Sequence, residues 1–148
     1  MNERVYNIIL ADDDIDDCSF FKEVLEELPI TSIFKTVQDG VELMRLLSSN
    51  FPNLPDIIFL DLNMPRKNGL ECLTEIKKDE KLKHLPVVIF STSLDIQVMN
   101  LLYSNGAHYY IRKPGEFAKL RAVIYEAIIA ISQKTSLQPA KEKFILQS

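Results

Sequence analysis

Four short apolar runs in this chain each end on residues able to do chemistry. IILA, Ile8 to Ala11, ends on Asp12-Asp13. IIFL, Ile57 to Leu60, ends on Asp61. VVIF, Val87 to Phe90, ends on Ser91-Thr92, and AHYYI, Ala107 to Ile111, ends on Arg112-Lys113. Carboxylates, hydroxyls and one ammonium suit phosphoryl chemistry around a hard cation. Carboxylates crowded together repel, and one of them is driven to hold a proton. A divalent cation removes that conflict. Magnesium prefers oxygen ligands and takes one or two carboxylates together with phosphate oxygens, whereas zinc and softer metals favour other donors. A carboxylate beside magnesium can attack phosphorus and become an acyl phosphate. Lys113 would add a second positive charge, and Ser91 a hydrogen bond to a phosphoryl oxygen. Each residue alone has a plainer explanation: a turn-starting aspartate, a strand-end hydroxyl, an exposed lysine. Their joint occurrence at successive strand ends is what carries weight.

The elements that must position these groups alternate regularly. Val5 to Ala11 reads as a buried strand, and Ile57 to Leu60 as one buried on both faces, because its apolar run does not alternate. Ile33 to Val37, Val87 to Phe90 and Ala107 to Ile111 complete five strands. Between them the period becomes helical. Phe20, Phe21, Val24, Leu25 and Leu28 recur at spacings of three and four, and the aspartates before them suit the positive end of a helix. Asn68 reads as the N-cap of a third helix, and Asn105-Gly106 as the close of a fourth. Phe117, Leu120, Val123, Ile124, Ala127, Ile128 and Ile131 mark the core side of a last helix over Glu116 to Ser132. Strand and helix in strict alternation imply a parallel sheet with helices on both faces. The expected fold is a doubly wound α/β sheet of five strands in the order 2-1-3-4-5. That order makes the ends at Asp12-Asp13 and Asp61 neighbours on the rim where such sheets bind ligands.

The 148 residues suit one domain, here residues 1–132, followed by a polar tail, 133–148, with one apolar patch at Phe144-Ile145-Leu146. The tail is expected to dock on the domain. The net charge of −4 argues against binding nucleic acid directly. No apolar run reaches membrane-span length and no signal peptide is read before the first strand, so a cytoplasmic protein is expected. Cys18 and Cys72 form neither a disulfide framework nor a zinc spacing.

The stretches NIILADDD, IIFLDLNMPRKNG, VVIFSTS and YYIRKP together resemble the receiver domains of two-component response regulators, the superfamily of the chemotaxis protein CheY. The resemblance runs from about Val5 to Ser132. It implies that Asp61 accepts a phosphoryl group from a sensor histidine kinase or a phosphotransfer protein. It implies that Asp13 and Asp61 hold magnesium directly with the backbone carbonyl of Asn63, and Asp12 through water. Ser91, Thr92 and Lys113 would be the phosphate-binding groups, with Ser91 and Lys113 assisting the chemistry. Ser91 and Tyr110 would form a switch in which Tyr110 turns inward after phosphorylation. The face made by the fourth helix, fifth strand and fifth helix would then change its preference for a downstream protein. The chain would be a stand-alone receiver, similar to those paired with phytochrome-type kinases, and no enzyme beyond its own phosphorylation and dephosphorylation. Two departures from the common pattern are Gly115 directly after Lys113-Pro114 and serine rather than threonine at 91.

Three other readings compete. Asp12-Asp13-Asp14 also fits the opening of a haloacid-dehalogenase-like phosphatase, with Asp12 as nucleophile and Asp14 as general acid. A flavin-binding module would share the strand order, but three aspartates would repel its phosphate. A pseudo-receiver would dock partners without chemistry. Ile124, Ile128 and Ile131 serve either the core or pairing with a second copy in a homodimer.

Overall fold

The structure is a computed structural model and describes residues 4–50, 52–93, 95–134 and 138–147. Residues 1–3 and, in the expected tail, residues 135–137 and 148 lie outside the described residues. The strands are β1 (Val5–Ala11), β2 (Thr31–Val37), β3 (Ile57–Leu60), β4 (Val87–Ser91), β5 (Tyr109–Arg112) and β6 (Ile145–Leu146). The helices are α1 (Ile15–Glu27), α2 (Gly40–Ser49), α3 (Gly69–Lys78), α4 (Ile96–Ser104) and α5 (Phe117–Lys134).

All strand pairs are parallel, and the sheet order is β2-β1-β3-β4-β5-β6. The expected order holds for the first five strands. The expected count of five does not, because the tail supplies a sixth. Tyr110 pairs with Ile145 and Ile111 with Leu146 in register. The Tyr110 amide donates to the Phe144 carbonyl at 2.9 Å. A sheet edge offers unpaired backbone groups, and the tail satisfies those of β5.

Two cores sandwich the sheet, because alternate strand residues point to opposite faces. Ile8, Leu10, Ile57, Phe59, Val88 and Phe90 pack against α1 and α5. Ile9, Ala11, Ile58, Leu60, Val87 and Ile89 pack against α2, α3 and α4. The three central strands are buried on both faces, which is why their sequences run apolar without alternation. Phe20 departs from its expected place. It is 49% exposed, while Phe21 is fully buried among Phe34, Phe59 and Phe90. Ile124, Ile128 and Ile131 are core residues of this subunit, so a second copy cannot pair through them without opening it. Among the described residues no helix is long and apolar enough to cross a membrane. Both cysteines are free, Cys72 buried and Cys18 partly so.

Candidate functional site

Parallel strands deliver their carboxyl ends to one rim, and the β1, β3 and β5 ends meet there. The Asp61 amide donates to the Ala11 carbonyl at 2.9 Å, and the Lys113 amide to the Ser91 carbonyl at 2.8 Å. The ladder thus continues one residue past each strand and holds the reactive positions in register.

One carboxylate oxygen from each of Asp12, Asp13 and Asp61 lies within 4.8 Å of the others. Asp12 and Asp61 are buried, whereas Asp13 is exposed. The Lys113 ammonium sits 2.8 Å from Asp12 Oδ2 and 3.6 Å from Asp61 Oδ2, with 10% of its side chain exposed. It is also 2.8 Å from Asp17 Oδ2. Asp17 was not among the residues expected from sequence. An acid in the first turn of α1 is already explained by the helix dipole, and no local pattern sets it apart from Asp16.

Burial pushes the Asp61 carboxyl up to about 7, with the charge of Asp12 adding to it and Lys113 opposing. Burial likewise raises Asp12, against its hydrogen bonds from Lys113 and the Asp14 amide. Burial works against the charge on Lys113. Its hydrogen bonds to Asp12 and Asp17 and the charge of Asp61 outweigh that and hold the ammonium well above its ordinary range. Two buried carboxylates and a third beside them face a single ammonium among charges this close, so the cluster is short of positive charge. Every donor is a hard oxygen, and the set fits a small divalent cation. Asp12, Asp13 and Asp61 are the residues that would hold it.

Local structure fixes this geometry. Asp12 Oδ1 accepts the Asp14 amide at 2.9 Å. The Asp14 carboxylate caps α1 by accepting the amides of Asp16 and Asp17. The loop after Asp61 is pinned from two sides. A Cβ on Gly69 would lie 2.3 Å from the Asp61 carbonyl oxygen, and one on Gly40 would lie 2.2 Å from the Lys67 carbonyl oxygen. Only glycine allows either approach. Within the loop Arg66 adopts φ 69°, and its guanidinium donates to Asp39 Oδ2 at 3.2 Å. Asn68 and Glu71 form a reciprocal cap that starts α3. The Asn63 amide reaches Asp61 Oδ1 at 3.5 Å.

Ser91 is fully buried at the end of β4, and its Oγ accepts the Ser93 amide at 3.2 Å. Thr92 beside it is exposed. The Tyr110 ring is fully buried, its hydroxyl donates to the Ser93 carbonyl at 2.6 Å, and it interacts with the Ser91 side chain. The ring thus lies inward in this structure, the position the switch reading assigns to it after phosphorylation. Phe144 of the tail packs 6.3 Å from the Tyr110 ring and 5.2 Å from the Tyr103 ring.

The family description "Response regulator receiver domain" matches residues 8–125. Response regulator Rcp1 of Synechocystis sp. is 34% identical over 111 residues, covering 72% of this chain and 75% of its own. The probable methanogenesis regulatory protein FilR2 of Methanothrix harundinacea is 30% identical over 127 residues, covering 84% and 82%. The phosphorylated cyanobacterial phytochrome response regulator RcpA superposes with a TM-score of 0.79 at 33% identity, over 93% of this chain and 100% of that one. Rcp1 solved in its Mn(2+)-bound form gives 0.76 at 30% identity, over 91% and 99%.

Proposed function

This chain belongs to the response regulator receiver family, and from that membership we propose that Asp61 is the acceptor of a phosphorelay. The observation that carries the reading is the convergence of Asp12, Asp13, Asp61 and Lys113 on one rim from three separate strands. The donor is a phosphohistidine on a sensor histidine kinase or a phosphotransfer protein, and that partnership places the chain in the cytoplasm. An Asp61 oxygen attacks phosphorus and a P–O bond forms. The P–N bond breaks, and its electron pair stays with the imidazole, which is left neutral after proton balance with solvent. Phosphoryl transfer asks chiefly for positioning and charge neutralisation. Asp13 and Asp61 with the Asn63 carbonyl, and Asp12 through water, would hold magnesium, which would supply part of that neutralisation. Lys113 supplies the rest, and Ser91 and Thr92 offer hydroxyls to the phosphoryl oxygens. That Rcp1 is known in a Mn(2+)-bound form supports a divalent cation for this chain too.

We take the body of the receiver as residues 1–132 and 133–148 as its tail, of which Ile145–Leu146 pair with β5. Tyr110 connects the two, since it reaches Ser93 with its hydroxyl and the tail with its amide and ring. The output surface is the face of α4, β5 and α5 together with the tail residues lying on it, Pro139 against Tyr103 and Ile145–Leu146 along β5, and the downstream partner is a protein. Phosphorylation adds about −1.5 to −2 charges beside Asp61, which biases the Ser91–Ser93–Tyr110 contacts and hence that face. A phosphatase using Asp12 and Asp14 is disfavoured by geometry. Asp12 is fully buried against Lys113, and the Asp14 carboxylate is spent on capping α1.

Incubation of the full chain with acetyl phosphate, with magnesium or with EDTA, tests the reading. Magnesium-dependent uptake of one phosphoryl group, lost in Asp61→Asn and kept in Asp14→Asn, is expected. Uptake that survives Asp61→Asn would overturn it.

A further inference from the structure

We propose that Asp17 is a positioning residue for Lys113: a releasable counter-ion that competes with the phosphoryl group on Asp61 for the ammonium. The proposal rests on Asp61 being the acceptor. A lysine ammonium has three N–H donors. Two are engaged at 2.8 Å, by Asp12 Oδ2 and Asp17 Oδ2. Asp61 Oδ2, at 3.6 Å, lies beyond good hydrogen-bond distance. Lys113 is thus drawn toward the start of α1 rather than toward the residue it must serve.

The two carboxylates that hold Lys113 differ in what it costs to let go. Asp12 has no exposed side-chain surface, and its second oxygen is fixed by the Asp14 amide. Released from Lys113 it would be a buried charge without its partner, which is strongly destabilising. Asp17 keeps 30% of its side chain exposed, so water can replace the ammonium there. Its backbone is tied to the Asp14 cap, which keeps the carboxylate near Lys113 without depending on the ion pair. When anionic oxygens grow on Asp61, the contact that yields is the one to Asp17. The Asp17 charge also repels those oxygens. Both effects have the same sign, so neutralising Asp17 favours the phosphoryl-bound state.

Beryllofluoride stands in for the phosphoryl group, and its affinity for the magnesium-saturated full chain is measured by calorimetry. Magnesium affinity is measured separately. Asp17→Asn keeps the shape and removes the charge. It is expected to tighten beryllofluoride binding about tenfold, equivalent to about 1.4 kcal/mol, with magnesium affinity changed by less than about threefold. Asp17→Glu is expected to return toward the parent value. In the metal-free chain, the nitrogen resonance of the Lys113 ammonium is expected to move in Asp17→Asn and to stay in place in Asp16→Asn. Asp16→Asn makes the same charge change one residue away, on an exposed side chain, and should leave beryllofluoride affinity unaltered. Beryllofluoride binding in Asp17→Asn that equals or falls below the parent overturns the proposal, and so does an equal gain in Asp16→Asn. Failure of the parent chain to bind beryllofluoride at all would instead remove the acceptor assignment of Asp61, and this proposal with it.

Discussion

Asp61→Asn is expected to make the metal-free protein more stable, and only above acidic pH. The carboxyl of Asp61 is raised from its ordinary 3.8 to about 7 by burial and by Asp12. The native state therefore holds this proton more tightly than the unfolded chain does. Below about pH 4 both states are protonated and the carboxyl costs nothing. Between about pH 4 and 7 the unfolded chain ionises while the native one resists, so native stability falls as pH rises. Above about pH 7 the penalty is complete. At about 1.4 kcal/mol per pH unit, the gap caps it at about 4 kcal/mol. Asparagine cannot ionise and escapes the penalty. In EDTA at pH 8 the variant should be about 2–4 kcal/mol more stable, raising Tm by about 5–15 °C for a chain of this size. At pH 4 the two proteins should nearly coincide. Magnesium narrows the gap, since ligand at about a hundred times Kd adds about 2.7 kcal/mol to the protein that binds it, and the variant has lost a ligand. Urea unfolding at pH 4, 6 and 8, with EDTA or magnesium, reads all of this. A variant no more stable than the parent at pH 8 in EDTA would refute the crowding of carboxylates. So would a gap independent of pH.

Lys113→Ala removes the cation closest to Asp12 and Asp61. It should destabilise the metal-free chain by about 3–5 kcal/mol at pH 8 and by less at pH 5, where the raised carboxyls take up protons, as thermal unfolding across pH would show. Gly69→Ala drives a Cβ to 2.3 Å from the Asp61 carbonyl oxygen. Displacing that loop should cost at least about 2 kcal/mol and weaken magnesium binding, read by calorimetry, whereas Gly115→Ala meets open space and should leave binding unchanged. Phe144→Ala removes the tail's buried ring. Undocking of the tail should then expose the Tyr110 amide, and hydrogen exchange at Tyr110 should rise at least about tenfold while the β1 and β3 amides keep their protection.

Much of this molecule was legible because its central strands are buried on both faces and so read as uninterrupted apolar runs. Each run stops where the sheet meets solvent, which is why Asp12-Asp13, Asp61, Ser91 and Lys113 stood out. Parallel topology then put them on one rim. The features that escaped notice lack a local signal. β6 spans only Ile145–Leu146, too short for any periodicity, and its partner is 35 positions back in the chain, Tyr110 with Ile145. Asp17 hides among first-turn acids, and only the fold reveals that it meets Lys113. Phe20 and Phe21 are adjacent, and periodicity alone does not say which ring the sheet takes. The burial of Tyr110 had no local signal either, because the residue that closes its seat, Phe144, comes from the tail.

The central claim is that one carboxylate, at the end of β3, becomes the acyl phosphate. Reducing the phosphorylated full chain with borohydride converts the modified aspartate to homoserine, and peptide sequencing by mass spectrometry locates it. Homoserine at position 61 is the predicted result. Homoserine at position 12, or none after magnesium-dependent phosphoryl uptake, would contradict the account.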